Sequence, residues 1–123
     1  MTSEKVTLVL GASTNPGKYS YKALISLQKE GIPVIAIGRR EAEVCGMKIM
    51  KTLPGDVSSV HTVTMYLNAA NQKEYYDLIL SLKPSRIIFN PGTLNPELAG
   101  LAREKGIDVV DGCMLVMLRF GDF

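Results

Sequence analysis

A loop of glycine, small and hydroxyl-bearing residues is the part of the sequence best suited to bind an anion. It follows an apolar strand predicted over residues 6–10 and precedes a helix that begins near Lys18. Gly11 permits a tight turn, and the unpaired amides and positive dipole end of the helix face the same space. The predicted anion-binding residues are Gly11, Ala12, Ser13, Thr14, Asn15, Pro16, Gly17, Lys18, Tyr19 and Ser20.

The loop departs from the two common phosphate-binding motifs. The dinucleotide fingerprint Gly-x-Gly-x-x-Gly would need glycines where the chain has Ser13 and Pro16. A Walker A loop is excluded because five residues, rather than four, follow Gly11 before the Gly-Lys pair, and Tyr19 replaces the required serine or threonine. Strand-to-helix turns also favour Gly, Ser, Asn and Pro for structural reasons. The position of this loop after the first strand of a predicted parallel sheet favours ligand binding.

The turn after the second predicted strand carries two cations, Arg39 and Arg40, directly after Gly38. NAD-binding domains have an Asp or Glu here, about 20 residues past the glycines, to hold the ribose hydroxyls. A guanidinium instead suits a phosphate on the ribose, because it can bind two phosphate oxygens at once. NADP and coenzyme A both carry such a phosphate, so both stay open as ligands, whereas NAD is disfavoured. The arginines could also simply solubilise a loop beside Glu41 and Glu43.

The elements that must position these turns are predicted from apolar patterning. Near-continuous apolar runs predict strands over residues 6–10, 32–37, 62–67, 86–89 and 107–110, and helical spacing predicts helices over residues 21–28, 75–82 and 94–105. One more short strand is predicted over residues 47–50. The alternation predicts an α/β fold: a single doubly wound, Rossmann-like domain over residues 1–123, with a five-stranded, mostly parallel sheet flanked by helices. The later turns at its carboxyl edge add Tyr66, Leu67, Asn90, Pro91, Gly92 and Cys113 to the candidates.

Composition and charge exclude several classes of protein. A hydrophobic content of 46% supports a continuous core, and a formal charge of +2 is too small for a nucleic-acid-binding face. The apolar runs are far shorter than the ~20 residues of a spanning helix, and the first residues lack a signal-peptide pattern. We therefore expect a cytoplasmic protein without a membrane or nucleic-acid partner. Cys45, Cys113 and His61 lack the spacing of zinc ligands or of a disulfide framework, so no metal site is expected.

Four motifs occur in an order and spacing that carry a family resemblance. They are Val9-Leu10-Gly11-Ala12-Ser13 with Asn15-Pro16-Gly17-Lys18, then Cys45-Gly46-Met47-Lys48 leading to Leu53-Pro54, then Asn90-Pro91-Gly92 followed by Asn95-Pro96-Glu97-Leu98, and finally Asp111-Gly112-Cys113-Met114. With these motifs the chain, from about residue 6 to residue 118, resembles the small coenzyme A-binding protein family. The fold of that family also forms the amino-terminal domain of the succinyl-CoA synthetase alpha subunit.

The resemblance implies roles for the matching positions. The loop from Gly11 to Lys18 would hold the pyrophosphate of coenzyme A, and Gly38 and Arg39 would meet the adenosine end and its 3′-phosphate. Tyr66 and Leu67 would line the adenine or pantetheine path. The residues implied at the thiol end are Asn90, Pro91, Gly92 and Cys113. The family usually has a proline in the turn after the second strand, and here the two arginines would take over phosphate binding.

The sequence favours ligand binding over catalysis. The related synthetases use a phosphorylated histidine from a further domain, whereas His61 precedes a strand on the opposite side and is expected to be structural or solvent-facing. Cys113 could exchange with the thiol of coenzyme A, or it could be a small apolar side chain. We rank non-catalytic or regulatory binding of coenzyme A or acyl-CoA first and an NADP-binding reductase second. A protein-interaction module with a degenerate nucleotide site comes third. The tail over residues 114–120 could pack across a homodimer or cover its own sheet, and an unknown protein partner also stays open.

Overall fold

Strands and helices alternate through the part of the chain that the computed structural model describes, residues 5–55, 57 and 59–123. The strands are β1 (Thr7–Leu10), β2 (Val34–Ile37), β3 (Ala42–Val44), β4 (Met47–Met50), β5 (Thr62–Met65), β6 (Arg86–Phe89) and β7 (Asp108–Asp111). The helices are α1 (Tyr19–Lys29), α2 (Ala69–Gln72), α3 (Tyr76–Leu82), α4 (Pro96–Glu104) and α5 (Met114–Arg119), with a 3₁₀ turn at Lys73–Tyr75 between α2 and α3.

The strands form one sheet in the order β3-β4-β2-β1-β5-β6-β7. All neighbouring pairs are parallel except β3 and β4, which are antiparallel. The chain first adds β2 and β4 on one side of β1 and then adds β5, β6 and β7 on the other side. The order therefore reverses between β1 and β5. In open α/β sheets such a reversal opens a crevice beyond the carboxyl ends of the strands.

Helices cover the sheet on both faces, which is why its central strands are apolar almost throughout. In β1, Leu8 faces one cluster that includes Ile79 of α3, and Val9 faces the other, with Leu24 of α1 and Met114 of α5. All five of these side chains are fully buried. Parallel strands buried on both faces need apolar residues at successive positions rather than at alternate ones. The continuous apolar runs of the sequence thus correspond to the layered core.

Within the described residues the sheet has seven strands, so the prediction of five was wrong in number, although the α/β, mostly parallel architecture is confirmed. The short strand predicted over residues 47–50 is β4, and it belongs to the main sheet. The missing strand is β3, which pairs with β4 so that Val44 lies opposite Met47. Cys45 and Gly46 form the two-residue turn between them, both with positive φ (48° and 85°). Such a turn joins antiparallel strands tightly, and Cys is a weak signal for it.

The helices also differ in extent from the prediction. The second predicted helix, over residues 75–82, corresponds to α3, and α2 and the 3₁₀ turn precede it. The tail over residues 114–120 contains a further helix, α5, whose Met114 is fully buried against the sheet of its own chain. Val116 and Phe120 remain 50% and 68% exposed. Within the described residues, none of the helices is long and apolar enough to cross a membrane.

Replacing Leu8 by alanine tests the layered core. We expect the free energy of unfolding to fall by about 2–5 kcal/mol, because a fully buried side chain of the central strand is lost and leaves a cavity. Urea unfolding followed by circular dichroism measures the change. Leu94→Ala is the matched control, because Leu94 is 47% exposed and should lose less than about 1 kcal/mol. Equal losses in the two variants would contradict this description of the core.

Candidate functional site

An open cleft of about 670 Å³ lies at the carboxyl edge of the sheet, over the reversal of strand order between β1 and β5. Its volume is within the range of small-molecule sites, about 300–1,000 Å³. The turns that follow β1, β2, β5 and β6 contribute to its wall. The lining residues are Gly11, Ala12, Ser13, Thr14, Lys18, Tyr19, Ser20, Gly38, Arg39, Arg40, Glu41, Ala42, Ile49, Tyr66, Leu67, Asn71, Glu74, Tyr75, Pro91 and Thr93.

The first wall of the cleft is the loop after β1 and the amino end of α1. Gly11 has a φ of +92°, and a Cβ there would lie only 3.1 Å from the backbone carbonyl carbon of Tyr66. Lys18 is the residue at the N-cap of α1, and its side chain makes no capping hydrogen bond. The Lys22 amide donates to the Lys18 carbonyl at 3.2 Å, and the Lys18 amide donates to the Asn15 carbonyl at 2.9 Å. The amides of residues 19–21 lie in the first turn without a helical acceptor and can bind an anion.

Asn15 shapes the same loop through its own hydrogen bonds. Its backbone amide donates to the Ser13 hydroxyl at 3.0 Å, and its side-chain oxygen accepts from the Gly17 amide at 2.9 Å. These short-range bonds hold the loop in a fixed turn ahead of α1. Asn15 and Gly17 do not line the cleft themselves; they support the residues that do.

The second wall is the turn after β2, where the backbone is packed against the first loop. The amides of Gly11 and Ala12 both donate to the Ile37 carbonyl at 2.9 Å. A Cβ on Gly38 would lie 2.5 Å from the Ala12 carbonyl oxygen, so only glycine fits without displacement. Arg39 and Arg40 follow at once and are exposed at the cleft. Both arginines therefore line the same cleft as Lys18 and the amino end of α1.

The third wall comes from the segment after β5, which includes α2 and the 3₁₀ turn. It contributes Tyr66, Asn71, Glu74 and Tyr75 to the cleft. Burial raises the pKa of Tyr66 to about 12. The pKa of Tyr75 is raised by burial and by the Glu74 carboxylate, and Arg39 opposes this rise. The charges of Glu74 and Arg39 thus act on the same phenol from two walls of the cleft.

A buried amide network anchors this third wall to the turn after β6. Gln72 is fully buried, and its side-chain nitrogen donates to the carbonyls of Leu67 and Thr93 at 2.9 and 2.7 Å. Asn95 donates to the Gln72 side-chain oxygen at 3.1 Å and to the Tyr76 hydroxyl at 2.7 Å. The same Asn95 caps α4 by accepting from the amides of residues 97 and 98. The position of the wall is therefore determined by buried hydrogen bonds.

The sequence matches the CoA binding domain family over residues 5–119, nearly the whole chain. The chain belongs to this CoA-binding domain family. No curated protein matches the sequence.

Solved structures show the same fold as this CoA-binding domain. The crystal structure of an uncharacterised protein is 46% identical, covers 99% of this chain and 100% of its own, and superposes with a TM-score of 0.93. A hypothetical protein from Pyrococcus horikoshii OT3 is 23% identical and covers 95% of this chain and 82% of its own, with a TM-score of 0.83. A protein from Thermus thermophilus is 22% identical and covers 98% and 91%, with a TM-score of 0.84. The last two comparisons concern the fold alone.

The cleft of the CoA-binding domain contains most of the residues singled out in the sequence. The predicted residues that line it are Gly11, Ala12, Ser13, Thr14, Lys18, Tyr19, Ser20, Gly38, Arg39, Arg40, Tyr66, Leu67 and Pro91. The predicted residues outside its lining are Asn15, Pro16, Gly17, Asn90, Gly92 and Cys113. For all of them, contact with a ligand stays a prediction.

Seven lining residues were not among the predicted site residues. They are Glu41, Ala42, Ile49, Asn71, Glu74, Tyr75 and Thr93. Glu41, Ala42 and Ile49 lie in or beside the β3–β4 hairpin, and Asn71, Glu74 and Tyr75 lie in the helical segment whose first part was not predicted. The Cys-Gly turn between two short alternating runs was the available signal for the hairpin. No local sequence pattern indicates that these two segments line the cleft.

Asn90 lies beneath the cleft with its side chain engaged by the protein. It is 3% exposed, and its nitrogen donates to the Thr64 hydroxyl and the Met65 carbonyl at 2.8 and 2.9 Å. Its side-chain oxygen accepts from the Met114 amide at 2.8 Å, which caps α5. These bonds join β5, β6 and α5, so Asn90 has a structural role, and its contact with a ligand stays a prediction.

The cysteines and the histidine lie outside the cleft lining. Cys113 is half-buried at the N-cap of α5, and Cys45 is exposed in the β3–β4 turn. His61 lies before β5 at the opposite edge of the sheet, with its Nδ1 2.7 Å from the Thr62 hydroxyl oxygen. Burial, with smaller contributions from Arg86 and Lys5, lowers its pKa. In the described part of the chain, no group of three or more His, Cys, Asp or Glu side chains could hold a metal ion.

The contact between the first two walls is tested by Gly38→Ala. We expect a loss of about 1–3 kcal/mol in the free energy of unfolding, because the new Cβ would overlap the Ala12 carbonyl oxygen. Thermal and urea unfolding measure it. Gly100→Ala, in α4 with no atom within 4 Å of the added Cβ, is the control and should gain about 0.5–1 kcal/mol. A neutral Gly38 variant would mean that the two turns are not packed as described.

Asn90→Ala tests the structural role of that side chain. We expect the free energy of unfolding to fall by about 2–4 kcal/mol, since three hydrogen bonds are lost and buried partners are left unsatisfied. Gln28→Ala removes an amide that makes one exposed hydrogen bond and should cost less than about 1 kcal/mol. Urea unfolding compares the two. Unchanged stability of the Asn90 variant would argue against a structural role.

Proposed function

We propose that the protein binds coenzyme A, free or acylated, in the cleft between β1 and β5 and catalyses no reaction on it by itself. The observation that carries this proposal is that a member of this family has positive charges grouped around one cleft. A chain of the CoA-binding domain family has Lys18, Arg39 and Arg40 around one cleft, together with the amino end of α1. Coenzyme A carries phosphates at two places, and the cleft offers two separate sets of donors.

The pyrophosphate fits the first set. Backbone amides at the amino end of a helix bind phosphate oxygens directly, and the helix dipole adds a favourable field. The small side chains of Ala12 and Ser13 allow a ligand to approach the main chain of the loop. Lys18 adds a full positive charge at the start of α1.

The 3′-phosphate of the ribose fits the second set. Arg39 and Arg40 lie on the neighbouring turn, as required if the adenosine extends from the pyrophosphate towards β2. Each guanidinium can form two parallel hydrogen bonds with a phosphate. The 2′-phosphate of NADP would meet the same cations, so NADP is the second candidate ligand, and it requires a direct comparison.

The chemistry of the wall supports binding rather than catalysis. Within the described residues, neither a histidine nor a cysteine lines the cleft, and its carboxylates, Glu41 and Glu74, are both exposed. A Ser-His-acid or Cys-His arrangement cannot be assembled from that set. Sensing of coenzyme A or acyl-CoA, with any chemistry supplied by another protein, is the function that we infer.

Calorimetric titration of the purified, reduced protein with coenzyme A, 3′-dephospho-coenzyme A and NADP tests the proposal. We expect micromolar binding of coenzyme A and a loss of about 10- to 100-fold on removal of the 3′-phosphate, as for charge-assisted hydrogen bonds. We expect no binding of NADP. The double variant Arg39→Ala/Arg40→Ala should bind coenzyme A as weakly as the wild type binds the dephospho form.

The matched control is Arg103→Ala, since Arg103 is exposed on α4 and lies outside the cleft. Its affinity for coenzyme A should equal that of the wild type. Binding of NADP alone would favour the reductase-like alternative. If none of the three ligands binds, the proposed function is wrong.

A further inference from the structure

The walls of the cleft differ in chemistry, and only two of them suit phosphate. The loop after β1 and the turn after β2 offer amides and cations, whereas α2 and the 3₁₀ turn offer the aromatic ring of Tyr75, the carboxylate of Glu74 and the amide of Asn71. A phosphate needs donors and positive charge. The third wall therefore suits a different, uncharged part of a ligand.

Glu74 is the feature that most needs an explanation. A carboxylate on the wall of an anion-binding cleft repels the ligand, unless it accepts a hydrogen bond from a donor on that ligand. Glu41, the other carboxylate of the described lining, directly follows Arg40 in the chain, on the cationic wall. Glu74 instead lies on the third wall beside Tyr75, where its carboxylate raises the pKa of that tyrosine and Arg39 opposes the rise.

Tyr75 packs against the core and lies on a segment that is anchored by hydrogen bonds. Its side chain is partly buried against the apolar cluster on one face of the sheet. The segment that carries it is anchored by Gln72, whose two hydrogen bonds to the carbonyls of Leu67 and Thr93 are buried or partly buried. A partly exposed ring in a fixed position is a suitable surface on which a flat base can stack.

We propose that Tyr75 and Glu74 recognise the adenine base of the bound nucleotide: the tyrosine ring stacks on the base, and the carboxylate accepts a hydrogen bond from its exocyclic amine. This inference rests on the proposed function, because it assigns one part of the same ligand. Arg39 binds the phosphate on the ribose, and the base attached to that ribose lies against the third wall, across the cleft from the turn after β2. The carboxylate then selects adenine over a purine that carries an oxygen at the same position.

The test compares two ligands, adenosine 3′,5′-bisphosphate and inosine 3′,5′-bisphosphate, which differ in the base alone. The wild type should bind the adenosine compound at least about tenfold more tightly, because hypoxanthine presents an acceptor to the carboxylate. Glu74→Ala should bring the two affinities to within about twofold of each other, and Glu41→Ala, the matched loss of a cleft carboxylate, should keep the preference. Calorimetric titration measures all six dissociation constants.

The stacking role of Tyr75 is tested separately. Tyr75→Leu keeps an apolar side chain against the core and should weaken both ligands by about tenfold, whereas Tyr75→Phe keeps the ring and should bind both as the wild type does. Equal affinity of the wild type for the two bisphosphates, or a preference that survives Glu74→Ala, would overturn the inference. If the inference fails but the wild type binds coenzyme A, the proposed function stands. If the wild type does not bind coenzyme A, the proposed function and this inference are both wrong.

Discussion

The pairing of β1 between β2 and β5 is the constraint on which the rest of the molecule depends. This strand is hydrogen-bonded along both edges and buried on both faces, so it has no freedom to shift. Because the chain builds outwards from β1 in one direction and then in the other, the connections after β1 and β5 diverge and leave a cleft between them. The bonds from Gly11 and Ala12 to the Ile37 carbonyl, and from the Tyr66 amide to the Leu10 carbonyl at 2.9 Å, then hold the turns of three neighbouring strands together.

Buried side-chain amides hold the later turns together, as backbone hydrogen bonds hold the earlier ones. Gln72, Asn90 and Asn95 are each no more than 5% exposed, and the bonds of each reach more than one segment. In the interior such groups are costly unless they are fully paired, so each specifies a single arrangement of the segments that it joins. The wall that carries Glu74 and Tyr75 is thereby tied to the turn after β6.

The electrostatic character of the cleft follows from this arrangement. Amides at the amino end of α1, a lysine and two arginines converge on one side, while a carboxylate and an aromatic ring stand on another. A small net charge of +2 is compatible with a strongly polarised local site, because the charges near the ligand, rather than their total, decide what binds. Such a cleft matches a ligand whose phosphates meet the cationic side and whose base meets the side with the carboxylate and the ring.

The sequence by itself determined the α/β class, the five main strands and the turns that carry Gly11 to Ser20, Gly38 and the two arginines. These features follow from local patterns: apolar runs for strands buried on both faces, and glycine with small polar residues where a strand meets a helix. Only the tertiary structure decided that the β3–β4 hairpin joins the main sheet, that α2 and the 3₁₀ turn form a wall of the cleft, and that the buried Asn90 side chain bonds to β5 and α5. Those outcomes depend on contacts between segments distant in sequence, and no local pattern encodes which distant atoms will meet.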